Sequence, residues 1–164
     1  MTKNLAYPYV EARKSANSNL VNSTPFQVNF DTITNDPYTM KGNAAGQFFV
    51  IPVTGTYIVT AAVWWNGETT TSGPAFSSYR LAYLSADPTG TGASYSIFAE
   101  NLVMPNVGVN SDSIQHVTRT GTFTKGTAIK CTAQQFNAAA ATIAVLGGVY
   151  TRICISMIPG KVTS

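Results

Sequence analysis

The chain offers few side chains that could carry out acid–base or nucleophilic chemistry. It has one histidine, His116, and no Gly-x-Ser-x-Gly stretch of the kind that presents a nucleophilic serine. A Ser-His-Asp arrangement therefore has little support. The Gly-rich stretch from Asp87 to Gly92 lacks the Lys-Ser/Thr ending of a phosphate-binding loop. Cysteine and histidine do not recur at the spacing of zinc ligands.

The acidic residues are spread along the chain rather than paired. Glycoside hydrolysis needs two carboxyl groups roughly 5–10 Å apart, and the sequence nominates no such pair. Asp36 and Asp87 lie in predicted loops and could help to hold Ca²⁺, but turn formation is the more common role of a loop aspartate. The seven acids are Glu11, Asp31, Asp36, Glu68, Asp87, Glu100 and Asp112. We therefore expect no catalytic residues, no metal site and no cofactor.

The charge distribution narrows the choice of partners. Ten Lys and Arg residues against seven acids give a net charge of +3, and the basic residues are scattered apart from the pair Arg13 and Lys14. No basic stripe follows a phosphate backbone, so no nucleic-acid partner is expected. No apolar run reaches the roughly 20 residues of a membrane span, and the N-terminal segment lacks the apolar core of a signal peptide. The chain is therefore expected to be made and released in a cytosol, or exported by a route that its sequence does not show.

The surface must be polar but poor in charge. Charged residues make up 10% of the chain, against about 25% in ordinary soluble domains. Thr, Ser, Asn, Gln and Gly must therefore cover the surface, which is typical of proteins that live in assemblies. An ordinary β-sandwich with a Thr-rich surface is the alternative. Cys131 and Cys154 lie in strand-like runs and are expected to be buried thiols in a reducing cytosol.

Short β-strands separated by turn residues account for most of the chain. Runs rich in β-branched and aromatic residues alternate with Gly, Pro, Asn and Asp, which predicts an all-β sandwich or jelly roll with two antiparallel sheets. We expect a jelly-roll domain over residues 23–164, and an N-terminal arm with the first strand over residues 1–22. Strands are predicted, among others, over Ser78–Ser85, Ile114–Thr124, Thr127–Gln134 and Val149–Ile158.

The strand that begins at Gly55 is apolar on both faces. One face carries Tyr57, Val59, Ala61, Val63 and Trp65, and the other carries Ile58, Ala62 and Trp64. A half-exposed antiparallel strand should alternate apolar with polar residues, so this strand is predicted to be covered on both sides. One side faces the sandwich core. The second side needs a partner, and a second copy of the chain is the simplest one.

These residues resemble a family signature. The globular head of complement component 1q, a jelly roll shared with the tumour necrosis factor superfamily, has a Phe, an Asn or Asp, a second Phe and then Gly-x-Tyr-x-Phe. Here Phe30 is followed by Asp36, Phe49 and the stretch from Gly55 through Tyr57 to Val59. The chain departs from the pattern where Val59 replaces an aromatic residue, and where Arg152 replaces a glycine of the last strand.

The resemblance implies a jelly roll of about ten strands that forms a tight threefold trimer. In the family, alternate residues of the Gly-x-Tyr-x-Phe strand point at the threefold axis, while the Tyr and the residue two positions later fill the core. The resemblance places His116 and Tyr150 near the axis too, where three imidazoles could bind an ion or respond to pH. Hydrogen bonding is the more common role of a lone histidine. The implied trimer interface is Ile58, Thr60, Ala62, Trp64, His116 and Tyr150.

Three functional classes remain open. The first is a virion structural protein: a trimeric capsid decoration (cement) protein or head-fibre knob of a bacteriophage, located in the virion and bound to the major capsid protein or another virion protein. In that case Lys3, Arg13 and Lys14 are candidate residues for tethering the trimer to the capsid. The second is a receptor-binding knob of a phage tail fibre or baseplate, with a host surface glycan stacked on Trp64, Trp65 or Tyr79. The third is a bacterial complement-like adhesion head.

Overall fold

The regular structure is entirely β-sheet in the part of the chain that the structure describes. The computed structural model describes residues 7–66, 79–91, 94–103, 112–136 and 143–160. Within these ranges the strands are β1 (Tyr9–Lys14), β2 (Ser18–Leu20), β3 (Phe26–Gln27), β4 (Thr32–Asn35), β5 (Phe49–Val50), β6 (Gly55–Trp65), β7 (Tyr79–Asp87), β8 (Ser96–Val103), β9 (Ser113–Phe123), β10 (Ala128–Phe136), β11 (Ile143–Val145) and β12 (Gly148–Met157).

Two antiparallel sheets form a jelly-roll sandwich. Sheet A has seven strands in the order β2-β11-β6-β12-β1-β4, with β9 paired to the other side of β6. Sheet B has five strands in the order β3-β10-β7-β8, with β5 also paired to β10. Among the described strands, β9 pairs only with β6 and β8 only with β7, so these two are edge strands. They lie on the same side of the sandwich, because the Asn101 side chain of β8 donates a hydrogen bond to the His116 carbonyl of β9 at 2.8 Å.

The core lies between the two sheets and confirms the predicted inward face of β6. Tyr57, Val59, Ala61, Val63 and Trp65 are all fully buried. They belong to one apolar cluster that also takes in buried side chains of sheet B. Burying one large apolar side chain contributes about 1.5–3 kcal/mol to the free energy of folding. Because these side chains alternate along β6, they define which of its faces points inward.

The predicted strands are confirmed where the structure describes them. The strands expected over Ser78–Ser85, Ile114–Thr124, Thr127–Gln134 and Val149–Ile158 correspond to β7, β9, β10 and β12, with ends displaced by one or two residues. The chain has more strands than the ten expected, since the loops before β6 contribute the short strands β3, β4 and β5.

Two strands of sheet A lie between residues 9 and 20. Strand β1 lies inside sheet A between β12 and β4, and β2 pairs with β11. Strands β1 and β2 therefore lie within the stretch 1–22, for which an arm with the first strand is predicted. Alternate residues Val10 and Ala12 pack into the core, which explains why the segment joins the sheet.

Candidate functional site

The face of sheet A that points away from the core is the candidate site, here called the outer face. Cross-strand partners in a sheet share a face, so the pairing of β6 with β9 and β12, and of β12 with β1, defines its members. They are Ile58, Thr60, Ala62 and Trp64 on β6; Ile114, His116, Thr118 and Thr120 on β9; Tyr150, Arg152, Cys154 and Ser156 on β12; and Tyr9, Glu11 and Arg13 on β1.

The outer face carries exposed apolar side chains. Tyr150 is 50% exposed and Ile114 is 42% exposed near Trp64, and Ile58, six residues before Trp64 on β6, is 41% exposed. The ring of Trp64 meets the ring of Tyr150 edge to face, with centroids 5.1 Å apart. Exposed apolar side chains that cluster on one face mark an interaction surface, whereas scattered ones need no explanation.

The structure brings the six residues of the predicted interface together on three neighbouring strands. In the register of the sheet Ala62 lies opposite His116, and Thr60 lies next to Thr118, whose hydroxyl donates a 3.2 Å hydrogen bond to the Thr60 hydroxyl. One of the six is nearly covered in the single chain: Ala62 is only 2% exposed, because a methyl group lies lower than the long side chains beside it. Ala62 supports the outer face and offers little surface of its own.

His116 is exposed on the outer face with its imidazole directed away from the core. Its backbone carbonyl accepts the hydrogen bond from Asn101. Among the residues that the structure describes, no group of three His, Cys, Asp or Glu side chains could hold a metal ion. Within those same ranges no helix is long and apolar enough to cross a membrane.

Two arginines face each other on the outer face, which sequence reasoning missed. Arg13 of β1 and Arg152 of β12 are direct cross-strand partners, and Arg152 is in turn the partner of Ala62. A row of side chains thus runs from His116 across Ala62 to Arg152 and Arg13. The Arg13 guanidinium donates a 3.2 Å hydrogen bond to the Thr34 hydroxyl. One indication of this pair was present in the sequence, because Arg152 stands where the family that the chain resembles usually has a glycine.

The next row of the outer face holds a tyrosine, a carboxylate and a thiol. Tyr9 donates a hydrogen bond to Glu11 at 2.9 Å, and burial together with Glu11 raises the pKa of Tyr9 well above its usual value. Burial also raises the pKa of the Cys154 thiol, which is half-buried and not fully buried as expected. Both groups therefore stay protonated near neutral pH, and neither is an activated nucleophile.

The three predicted tether residues have different environments. Lys14 is only 4% exposed, and its ammonium lies 5.7 Å from the centre of the Phe26 ring. Burial lowers the pKa of Lys14. The prediction that Lys14 is a free basic tether is therefore wrong: it follows Val10 and Ala12 on the inward side of β1. Arg13 is partly exposed on the outer face, and Lys3 lies outside the described residues.

Two of the three aromatic residues proposed for glycan stacking are engaged within the fold. Trp65 is fully buried and donates a 3.0 Å hydrogen bond to the Gln115 side chain, so it cannot stack on a sugar. Tyr79 is partly buried and stacks on Phe136, with centroids 4.1 Å apart. Trp64 remains accessible at the edge of its contact with Tyr150.

The loop aspartates have turn-forming roles. The carboxylate of Asp36 accepts backbone hydrogen bonds from Met40 at 2.7 Å and from Lys41 at 2.9 Å. Asp87 accepts hydrogen bonds from the backbone and the hydroxyl of Thr89. Each carboxylate thereby closes its own turn, as expected for aspartate in a loop.

A groove runs along the open edge of the sandwich, between edge strands β8 and β9, and is here called the edge groove. Its volume is about 550 Å³, and its lining residues are Ile97, Phe98, Ala99, Glu100, Thr118 and Arg119. Phe98 packs edge to face on Phe123 at 5.3 Å and closes the bottom of the groove toward the core. Ile97 and Glu100 remain exposed. Sequence reasoning missed this groove, because it forms between strands of different sheets.

The fold is similar to solved structures of the tumour necrosis factor type. Eiger TNF from S. frugiperda superposes with a TM-score of 0.58 at 8% identity, over 97% of this chain and 98% of that chain. Murine APRIL, crystallised at pH 5.0, superposes with a TM-score of 0.65 at 10% identity, over 93% of this chain and 99% of that one. No family model and no curated protein matches the sequence. At such low identity the likeness shows the fold: a TNF-like jelly roll.

Proposed function

We propose that this chain is a non-enzymatic structural protein that forms a homotrimer through the outer face of sheet A. The observation that carries the proposal is that the outer face leaves apolar side chains wholly or partly in water in a single chain: Trp64 and Tyr150 at one end, and Ile58 further along β6. Fully burying one such side chain contributes about 1.5–3 kcal/mol, so several of them drive association. The TNF-like jelly roll supports the same arrangement.

The proposed role of the trimer is to decorate a bacteriophage capsid, or to form the knob of a head fibre, within the virion. Its partner is then the major capsid protein or another virion protein. The support comes from the composition. Charged residues make up only 10% of the chain, which suits a protein that forms part of an assembly. Capsid lattices also offer threefold positions that match a closed trimer.

The first test measures the mass of the purified protein by light scattering and then mixes it with undecorated capsids. A particle of about 52 kDa, three times the 17.4 kDa mass of one chain, supports the trimer. Saturable binding of that particle to capsids supports decoration. A monomer overturns the assembly proposal, and a trimer that binds no capsid overturns the decoration role.

A substitution tests the interface independently. Ile58→Asp places an unpaired charge in the proposed dry interface, at a cost of several kcal/mol, so we expect a folded monomer. Val21→Asp is the matched control, because Val21 is an exposed apolar residue outside the outer face. Retention of a normally sized trimer by Ile58→Asp would show that this face does not build it.

A receptor-binding knob of a tail fibre or baseplate is the second candidate, with a complement-like adhesion head as its bacterial counterpart. The partly accessible stack of Tyr79 on Phe136, at one end of β7 and β10, is the observation that favours it, since planar rings bind sugars by stacking. A trimer that ignores capsids and binds host cells or a surface glycan supports this candidate. Loss of that binding in Tyr79→Ala then locates the site.

A further inference from the structure

The face of sheet B that points away from the core is a second exposed surface, here called the sheet B face. Neighbouring residues of β7 point to opposite sides, and Ala82 and Leu84 belong to the core, so the residues that alternate with them point outward. This face lies on the opposite side of the sandwich from the outer face of sheet A, and covering the outer face leaves it accessible. Its members are Tyr79, Leu81, Tyr83 and Ser85 on β7; Ile97, Glu100 and Leu102 on β8; Lys130, Thr132, Gln134 and Phe136 on β10; and Gln27 on β3.

Aromatic rings follow one another along the sheet B face. Tyr79 and Phe136 are cross-strand partners whose rings stack, with centroids 4.1 Å apart and planes inclined by 24°. Tyr83 lies four residues after Tyr79 on the same side of β7, which separates the two positions by about 13 Å. One row further along, the ammonium of Lys130 lies 3.7 Å from the centre of the Tyr95 ring. These rings are all partly exposed, so they offer stacking surfaces at several points along one line.

The charges of the sheet B face cancel each other. Among its members Glu100 and Lys130 are the charged residues, and they have opposite signs. Asp87, one row beyond, is fully buried and accepts hydrogen bonds within its own turn. A surface without net charge complements an uncharged ligand, whereas a phosphate chain or an acidic glycan requires an excess of basic residues.

Two amide side chains are held in place beside the rings. The Nε2 atom of Gln27 donates a hydrogen bond to the Gln47 carbonyl at 2.7 Å, and the Nε2 atom of Gln134 donates one to the Ser23 carbonyl at 2.9 Å. Each amide oxygen is thereby fixed as an acceptor for a hydroxyl group of a ligand. A group that is already ordered loses little conformational entropy when a ligand binds.

Carbohydrate is the class of uncharged ligand that uses both the rings and the amides. The C–H faces of a sugar ring pack on planar aromatic side chains, and its hydroxyl groups donate to amide oxygens. Small-molecule sites in general combine aromatic and apolar lining with a few placed polar groups. A protein partner with an apolar surface would cover the rings and the exposed Ile97 and Leu102, but it would leave the amide oxygens unpaired, at a cost in free energy.

We infer that the sheet B face binds an extended, uncharged oligosaccharide that lies along β7, with one sugar ring packed at Tyr79 and Phe136 and another at Tyr83. This inference rests on the receptor-binding candidate and adds the ligand class and the length of its site. The amide oxygens of Gln27 and Gln134 accept hydrogen bonds from the sugar hydroxyl groups. Each copy in a trimer carries one such face, so a surface that presents many glycans is bound at three points.

A glycan array tests the ligand class. The purified protein is applied to immobilised uncharged oligosaccharides of increasing length, namely N-acetyllactosamine repeats, mannans and β-linked glucans, beside sialylated and sulfated counterparts. We expect binding to an uncharged series that strengthens with chain length until the ligand reaches from Tyr79 to Tyr83, with no gain from an acidic group. Binding that requires the acidic group overturns the assignment of an uncharged ligand.

Substitutions locate the site. Tyr79→Ala and Tyr83→Ala should each weaken the binding of the longest bound oligosaccharide by about tenfold, because each removes one stacking ring. Tyr83→Phe keeps the ring and should stay within about threefold of the parent protein. Tyr7→Ala is the matched control, since Tyr7 is an exposed tyrosine outside the sheet B face. Titration calorimetry measures the affinity, and circular dichroism checks that each variant folds. An affinity that neither alanine variant on β7 changes places the site elsewhere and overturns the inference.

The outcomes separate this inference from the function on which it rests. A protein that binds host cells but no oligosaccharide overturns the inference and leaves the receptor-binding candidate standing, with a protein as the receptor. A protein that binds neither overturns both. A folded Ile58→Asp monomer should keep its affinity for a soluble oligosaccharide within about threefold and bind a dense glycan surface more weakly than the trimer does. Loss of the soluble ligand by that monomer would place the ligand between copies and overturn the site on sheet B.

Discussion

Trp64 of β6 and Tyr150 of β12 contact each other edge to face on the outer face of sheet A, with ring centroids 5.1 Å apart and planes inclined by 82°. Both rings come from strands whose opposite faces fill the core, so the pair is held in place by the sheet itself. A preformed aromatic pair loses little conformational entropy when a second surface covers it. This pair is therefore the part of the outer face best suited to anchor a neighbouring copy.

The first prediction concerns this aromatic pair. Trp64→Ala should weaken the trimer by about tenfold or more in dissociation midpoint, since it removes both a large apolar surface and the contact with Tyr150. A double-mutant cycle with Tyr150→Ala should give a coupling of about 1 kcal/mol. Tyr150→Phe keeps the ring and serves as the control. Additive effects of the two alanine variants would show that the rings act independently.

The second prediction concerns a glycine in the loop before β5. Gly46 has a φ of +62°, and a Cβ atom there would lie 1.9 Å from the carbonyl oxygen of Phe30. Gly126 is the matched control, because its φ is +89° but a Cβ atom would meet nothing within 4 Å. We expect Gly126→Ala to lower the free energy of unfolding by about 1 kcal/mol and Gly46→Ala to lower it by about 3 kcal/mol or more. Denaturant titration gives both values, and equal losses would contradict the role of the clash.

The third prediction concerns pH and Lys14. Burial lowers the pKa of Lys14 below its ordinary value of 10.5, and attraction to Asp31 opposes this shift only in part. In the interval between the lowered folded pKa and 10.5 the unfolded chain binds more protons, so the contribution of Lys14 to stability becomes more favourable as pH rises. Below the folded pKa the full cost of the buried charge is present.

Replacing this lysine should therefore have an effect that depends on pH. Lys14→Met should raise the free energy of unfolding at neutral pH, and this advantage over the parent chain should shrink as pH approaches 10.5. Lys125→Met, at an exposed turn, should show no such trend. Denaturant titrations at several pH values provide the measurement. A constant difference would show that the Lys14 pKa does not change on folding.

The fourth prediction concerns the two thiols. Full burial raises the pKa of Cys131 to about 12, and partial burial raises that of Cys154. Cys131 should therefore be alkylated by iodoacetamide only after unfolding. In the folded chain little of the thiol is ionised, and the reagent has little access to the sulfur atom. Cys154 should be protected in the trimer and react faster in the Ile58→Asp monomer, as followed by mass spectrometry. Equal reactivity of Cys154 in both states would place it outside the interface.

The sequence by itself determined the all-β class, the strands that supply core residues, and the presence of apolar residues on both faces of β6. These features depend on the period-two alternation of neighbouring residues, which is local: Tyr57, Val59 and Trp65 face inward, and Ile58 and Trp64 therefore face outward. The interface prediction followed from the same alternation together with a family resemblance. The structure brings its members together on three neighbouring strands.

Only the tertiary structure decided which residues from distant parts of the chain meet. The register between β1 and β12 places Arg13 opposite Arg152, the inward turn of β1 buries Lys14, and the close approach of β8 to β9 creates the edge groove around Glu100. Such pairings are set by how two sheets pack over a shared core, since a shift of one residue would reverse every side chain. No local pattern of residue types encodes that choice, and for this reason the charges of the proposed interface became visible only in the folded chain.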